Sequence, residues 1–543
     1  MTTLRRRSAL AFFLVALALG GSTAARSARS AAIAANDTVV ITGHGWGHGI
    51  GFPQWGAYGY AQHGYKYAWI LAHYFPGTTL GTAPVAKVRV LLSGSAKSVD
   101  VTSPVPFKLK DGPGNSRALA PGTYTLKPDL KLVLKPGAQP TALKGPLTFL
   151  AGTEPLQLGP RRYRGSFRID VTNGKLRTIN VVDLESYLKG VVPAEMPHTW
   201  AIEALKGQAV VARSYALATR KTGQPFDLYP DTRSQMYLGV DHEYPSTSLA
   251  VEQTTGQVVL YQGKVATTYF SSSSGGRTAA IQDAWANAKP VPYLVSVPDP
   301  YDTISPYHNW GPYTYKLATL AKKLKVTGKV LDLASSANGS GRTVALVVTT
   351  QLGKLSLPAG AVRQMLGLRS AWFTIGSLSL NPPATALVYG GRKTLTGTAR
   401  GYPKVVLQKR IGSAPWVTVG PLKLGQDGAV STVVKPLQVT QYRLSSGSVT
   451  SAPVRVNVKP LVKLLPPQAG IVRGTTTPAI PGGFVEIQRL SGSAWSSVAG
   501  ASVAADGSFQ TQLELEPGNY RARYEPGHGL VVGISAVLKV LPA

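Results

Sequence analysis

Between residues 184 and 220 the apolar positions recur at helical intervals on both sides of a short loop. Leu184, Tyr187, Leu188 and Val191 stand at i, i+3, i+4 and i+7, the stripe of one buried helix face, and Asp183 before them is a good N-cap. Ile202, Leu205, Ala209, Ala212 and Ala216 repeat every three or four residues in a second helix, which Thr199 can cap. That stripe is mostly alanine, so another element can approach it closely. Between the helices lies Pro193-Ala194-Glu195-Met196-Pro197, where prolines fix the backbone on either side of one carboxylate. A carboxylate on a stiff mount over a buried helix suits a general acid, which makes Glu195 the first candidate for chemistry.

The pattern elsewhere divides the chain. From Gly43 to Gly51 glycine fills every second position, so an extended strand would put bare backbone on one face and His44, Trp46, His48 and Ile50 on the other. Bare backbone of this kind suits close approach by another segment or a ligand. Pro53 starts a helix through Gln54, Trp55 and Ala57, and a second helix runs from Tyr65 to Tyr74 before Pro76-Gly77. Residues 85–180 turn to short alternating runs broken by Gly and Pro, a β region. Strands at Val258–Tyr261 and Val265–Phe270 lead into Ser271-Ser272-Ser273-Ser274-Gly275-Gly276, a cluster able to present hydroxyls and N–H groups to a ligand. Mixed strand and helix continues to Phe373, and Asn381-Pro382-Pro383 reads as a linker.

Beyond the linker the pattern is all-β and repeats itself. Leu407-Gln408-Lys409, Trp416, Asp427-Gly428 and Tyr442-Arg443 recur about 80 residues later as Ile487-Gln488-Arg489, Trp495, Asp506-Gly507 and Tyr520-Arg521. Residues 381–459 and 460–543 are therefore expected to be tandem β-sandwiches, spacers or wall-binding modules rather than enzymes. The expected fold class is multidomain α+β. A mixed α/β domain over 36–380, with a β-rich inserted region at about 85–180, precedes two all-β sandwich-like domains.

Composition changes the picture in three ways. Residues 1–35 resemble a secretory signal, with Arg5, Arg6 and Arg7 ahead of the apolar run Ala9–Leu19 and alanine-rich sequence after it. No later run is apolar and long enough to cross a membrane, so the expectation is an exported protein with no transmembrane segment after signal removal. The chain has 57 Lys and Arg against 25 Asp and Glu, a formal charge of +32, and removal of 1–35 takes away only five arginines. Such a field favours polyanionic surroundings, and without a dense basic block or binding motif anionic cell-wall polymers or anionic lipid are expected rather than nucleic acid. There are no cysteines, which excludes thiolate metal sites and cysteine nucleophiles. His44 and His48 would stand about 13 Å apart on an extended strand, too far for one ion. No cofactor is expected.

Several segments together resemble the stage II sporulation protein D / amidase enhancer (SpoIID/LytB) family: LESYLKGVVPAEMP, EALKGQAVVARSYAL, DTRSQMYLG, TTGQVVLYQGKVATTYFSSSSGGRT, the Ser340-Gly341-Arg342 turn and HGIGFPQWGAYGYAQHG. The likeness spans roughly residues 40 to 375. It implies a lytic transglycosylase that cleaves the glycan strands of peptidoglycan, with the glutamate of the Glu-Met-Pro motif, Glu195, as catalytic acid. It implies glycan contacts from Arg213, Tyr215, Gln235, Ser273, Ser274, Gln54 and His48. Other members stimulate a separate amidase. Two departures stand out. The His-Gly-x-Gly-x-x-Gln-x-Gly-Ala segment, usually near the end of the family domain, lies here at residues 48–57, which looks like a circular permutation. Some members bind zinc through a cysteine that this chain lacks, and neither His242 nor Asp231 restores such a site, so no metal is expected.

The chemistry suits one carboxyl group. A hydrolytic glycosidase usually needs two carboxylates, and the neighbours Glu185 and Glu203 are better read as helix-start charges. Buried Arg213 and Tyr215 could equally serve helix packing. Three readings follow: a secreted, wall-associated lytic transglycosylase acting on peptidoglycan glycan strands; a non-catalytic amidase enhancer or wall-binding protein; and an unrelated surface role such as an adhesin, which predicts no dependence on Glu195.

Overall fold

The computed structural model of the chain describes residues 38–83, 87–402 and 404–542. The expected signal segment lies outside them. Strands dominate and helices are few, and among the described residues no helix is long and apolar enough to cross a membrane.

The helices that build the site are α1 (Gln54–Gln62), α2 (Tyr67–Tyr74), α3 (Leu184–Glu195), α4 (Ile202–Thr219) and α5 (Pro245–Gln253). Leu184, Tyr187, Leu188 and Val191 are all buried, as their spacing predicts. They pack on a β core containing Val88, Phe149, Phe167 and Leu176. Each such side chain contributes about 1.5–3 kcal/mol through burial. Helix α4 is buried on two sides. Ala209, Ala212 and Ala216 face that β core, whereas Ala204, Leu205, Val210 and Val211 join a second core with Phe52, Tyr74 and Phe75. The alanine stripe thus lets α4 sit between two layers.

The β region supplies a six-stranded antiparallel sheet whose second strand Lys175–Asp183 pairs with the edge strand Lys87–Ala96 and with Ser166–Thr172 and runs straight into α3. A four-stranded sheet including Val99–Ser103 and Gly122–Leu126 completes it. Another antiparallel sheet orders Asn309–Lys316, Thr38–His44, Phe373–Leu380, Lys393–Arg400 and Ala429–Val434, so strands from both sides of residue 381 share it. The rest of the tail is all-β, with apolar clusters around Leu395, Leu407 and Tyr442 and around Val472, Ile487 and Tyr520.

Four local expectations are corrected. Pro193 does not end the first helix, which continues through it to Glu195. Proline's fixed φ fits a last helical turn at the loss of one N–H, and the break comes at Met196, held extended (φ −135°, ψ 137°) before Pro197. Asp183 takes the N-cap position of α3 but makes no side-chain cap bond, and Thr199 does not cap α4, whose N-cap is Ala201. The run Val265–Phe270 is strand only at its ends, Lys264–Val265 and Phe270–Ser271. The glycine run is not an extended strand beyond His44, because Gly45, Gly47, Gly49 and Gly51 take φ of 70°, 110°, 77° and 69°. Close approach is nonetheless what the glycines permit. A Cβ on Gly47 would stand 2.6 Å from the Ser271 Cβ, and one on Gly51 2.3 Å from the Tyr269 carbonyl.

Candidate active site

Three segments distant in sequence meet over the end of α3. Glu195 is its last residue, where the negative end of the helix dipole adds to the cost of a carboxylate. The glycine run is laced to the serine segment: Trp46 N–H donates to the Ser273 carbonyl (2.9 Å), Phe52 N–H to Tyr269 (2.9 Å) and Trp55 N–H to Ser272 (2.9 Å). The loop after α4 brings in Thr232 and Ser234. Together they enclose a cleft of about 640 Å³ lined by Glu195, Gln54, His48, Tyr215, Trp46 and Trp285, with Tyr269 to Ser272, Thr232, Ser234 and Arg363. A second hollow of about 600 Å³ shares Gly47, His48, Trp285 and Arg363 with it, so one groove continues past the first. Trp46 and Trp285 are 40% and 37% exposed, leaving indole surface open to a ligand.

Glu195 is the one carboxylate among the residues lining the cleft. Its Oε1 accepts from the Met236 N–H at 2.7 Å. Burial pushes its pKa above the ordinary carboxyl value, although the Met236 N–H pulls the other way. The Glu195 carbonyl accepts from Gln54 Nε2 (2.8 Å), which also reaches Gln208 Oε1 at 3.3 Å. Gln54 therefore clips α1 to the end of α3.

Of the other residues expected at the site, His48 and Tyr215 reach the cleft. Burial, with Arg363 and Arg342 adding repulsion, pushes His48 down to about 4 against a hydrogen bond with the Phe270 carbonyl. Its Nδ1 accepts from the Ile50 N–H (3.0 Å), so the neutral ring carries its proton on Nε2. Tyr215 packs edge-on against Tyr269 and Phe270, with ring centres 5.9 and 6.1 Å away. Burial raises its pKa, Tyr269 and Glu195 contribute, and the phenol stays a donor.

The structure does not bring the remaining expected residues to the cleft. Arg213 is fully buried, its guanidinium paired with Glu185 at 2.5 and 2.8 Å and donating to the Gln257 carbonyl at 3.0 Å. Gln235 accepts from the Tyr187 hydroxyl (3.1 Å) and donates to the Ala212 carbonyl (3.2 Å), fixing the backbone one residue before Met236. Ser273 Oγ donates to both oxygens of Asp302 and Ser274 Oγ to Asp299, all buried. Ser271 and Ser272 line the cleft in their place.

Neither neighbouring glutamate lines the cleft. Glu185 serves Arg213 and the Gly256 N–H, and Glu203 accepts from the Tyr67 N–H (3.0 Å) at the start of α2 and from Lys206. Thr232 and Ser234 come from the DTRSQ segment and Trp285 from a stretch without a motif. Asp231 pairs with Arg233 at 2.7 Å and His242 packs near Tyr244, and among the described residues no three acidic or histidine side chains gather as metal ligands.

Residues 172–261 match the family model described as "Stage II sporulation protein". The stage II sporulation protein D of Bacillus subtilis is 30% identical over 242 residues, covering 41% of this chain and 68% of that protein. The chain belongs to the stage II sporulation protein D family. An amidase enhancer of Bacillus subtilis is 40% identical over 146 residues, 27% of this chain and 18% of that protein. An uncharacterized protein of Brachyspira hyodysenteriae is 38% identical over 138 residues, and this chain spans 37% of it.

Proposed function

We propose that this is an exported cell-wall enzyme, a lytic transglycosylase that cleaves peptidoglycan glycan strands with Glu195 as both acid and base. The observation that carries the reading is a single carboxyl group, raised by burial, in a groove with no second carboxylate along its lining. Hydrolysis through two carboxylates would need a partner at about 5–10 Å. Protonated Glu195 donates to the glycosidic oxygen as the C1–O bond breaks. The resulting carboxylate takes the proton from the sugar's own C6 hydroxyl as that oxygen bonds to C1. The products are a free hydroxyl end and a 1,6-anhydro ring, and Glu195 is again protonated. The neutral donor Tyr215 orients sugar hydroxyls, His48 walls the groove with its N–H given to the Phe270 carbonyl, and Trp46 and Trp285 offer ring faces.

The likeness to an amidase enhancer favours a second reading, in which the groove holds glycan without cutting it and a wall amidase is the partner. Mass spectrometry of purified peptidoglycan, intact and amidase-stripped, after incubation with the chain and with Glu195→Gln decides between them. Anhydro-muramyl products from the native protein alone are expected. Reducing ends would mean hydrolysis, and no new products with binding retained by both proteins would leave the enhancer.

A further inference from the structure

The tail carries a charged groove that the cleft does not use. On strand Val406–Arg410, Gln408 stands opposite Arg443 and Arg410 opposite Gln441 of strand Thr440–Ser446. The two-residue period places all four on one face. Arg443 Nε donates to Gln408 Oε1 at 2.8 Å, and Arg410 Nε to Gln441 Oε1 at 2.6 Å. Both guanidiniums lie over the Trp416 indole, 4.2 and 4.7 Å from its centre. Amide and indole hold each planar fork in place without neutralising it. Among the described residues no carboxylate pairs with either arginine. Lys316 joins them around a groove of about 530 Å³ that Thr450 and Ser451 also line. Keeping two guanidiniums together costs free energy that a bound anion would return: burial lowers the Arg443 pKa, and Arg410 lowers it further.

The second repeat shows the same frame with one arginine in place of two. Gln488 stands opposite Arg521 and accepts from its Nε at 2.8 Å, and Arg521 lies 4.2 Å from the Trp495 ring centre. Leu490, however, occupies the position 80 residues after Arg410. Carboxylates neutralise two of its arginines, Glu516 pairing with Arg489 at 2.5 Å and Glu486 and Glu525 with Arg523 at 3.3 and 2.5 Å.

We propose that the groove around Trp416 binds phosphate groups of a phosphodiester-linked cell-wall polymer, with Arg410 and Arg443 as twin forks and Lys316 at the rim. Guanidinium forks match phosphate oxygens in two-point geometry, and an open groove admits an extended chain with one charge per unit. The choice of a wall polymer rests on the wall reading above.

The test is equilibrium binding of the full chain to poly(glycerol phosphate) at physiological salt, with polygalacturonate and a single-stranded oligonucleotide as further arms. Arg410→Gln/Arg443→Gln is expected to weaken poly(glycerol phosphate) binding about tenfold or more, Lys316→Gln about threefold, and Arg521→Gln less than about twofold. Lys316→Gln, outside the hydrogen-bonded quartet, keeps the test open if the double variant misfolds. Native-strength binding by both groove variants overturns the proposal, as does an equal loss for Arg521→Gln, which would mean diffuse charge. Equal groove-dependent affinity for polygalacturonate or the oligonucleotide also overturns it. Peptidoglycan cleavage by the groove variants, measured separately, stays at the native level, so failure here leaves Glu195 untouched.

Discussion

Two neighbouring regions raise carboxyl pKa values by burial and put them to opposite use. Glu195 holds one backbone N–H and otherwise faces an open groove. Behind the cleft-lining Ser271 and Ser272, Asp302 is saturated: Ser273 Oγ reaches both its oxygens at 2.9 Å, and the N–H groups of Ser274 and Gly275 and the His308 ring reach it at 2.9–3.0 Å. Asp299 beside it takes the hydroxyls of Ser274 (2.7 Å) and Tyr74 (2.9 Å). A raised pKa therefore does not set Glu195 apart as the candidate. Its lack of partners beside open space does.

The sharpest way to break this contrast is to neutralise one carboxyl in each region. Glu195→Gln keeps an acceptor for the Met236 N–H but has no proton to donate. Cleavage should fall by about 100- to 10,000-fold with the melting temperature unchanged, checked by product assay and calorimetry. Asp302→Ala should do the reverse. It leaves Ser273 and two buried N–H groups without an acceptor and should cost about 3–5 kcal/mol in denaturant unfolding. The surviving folded fraction should release the same products as the native chain. Equal stability losses for the two variants would erase the distinction.

A pH experiment on the native chain and Asp299→Asn probes the paired region alone. Burial pushes Asp299 up to about 7, Asp302 adding to it while Ser274 and Tyr74 oppose. A carboxyl raised in the fold favours the protonated form, so its contribution is full below the unfolded value near 4 and is lost as pH rises through about 7. Asp302 and Glu195 shift the same way. The native chain should therefore lose about 2–3 kcal/mol of unfolding free energy relative to Asp299→Asn between pH 5 and pH 8, the lowered His48 acting in the opposite direction in both proteins. A slope unchanged by the substitution would place the titration elsewhere.

The comparison also explains what could be read from residues alone. The α3 stripe, the tail repeat and the gathering of Glu195, Gln54, His48 and Tyr215 follow from periodicity and motif, because each is carried by local spacing or by a segment recognisable on its own. Ser273 and Ser274 look like a ligand-facing cluster until Asp299 and Asp302, 25 and 29 residues away, turn their hydroxyls inward. Arg213 looks functional until Glu185, 28 residues earlier, is seen to take its charge. In each case a distant partner decides which side of the wall the residue faces. The glycine run misleads for another reason: alternation is the sign of a strand, but glycine also admits the positive φ that a strand excludes.

The smallest expected effect asks whether the open region depends on its own support. Gln54 touches Glu195 only through the backbone carbonyl, and its amide also meets Gln208. Gln54→Met fills the same space and removes both bonds. If the open carboxyl must be held in place, the maximal cleavage rate should fall about tenfold with little change in apparent KM, and stability should fall by only about 1 kcal/mol. The rate loss should persist across the pH range, since the Met236 N–H remains as the bond that opposes the raised pKa. A rise in KM alone would instead make Gln54 a glycan contact, and an unchanged rate would mean that the two helices position Glu195 without it.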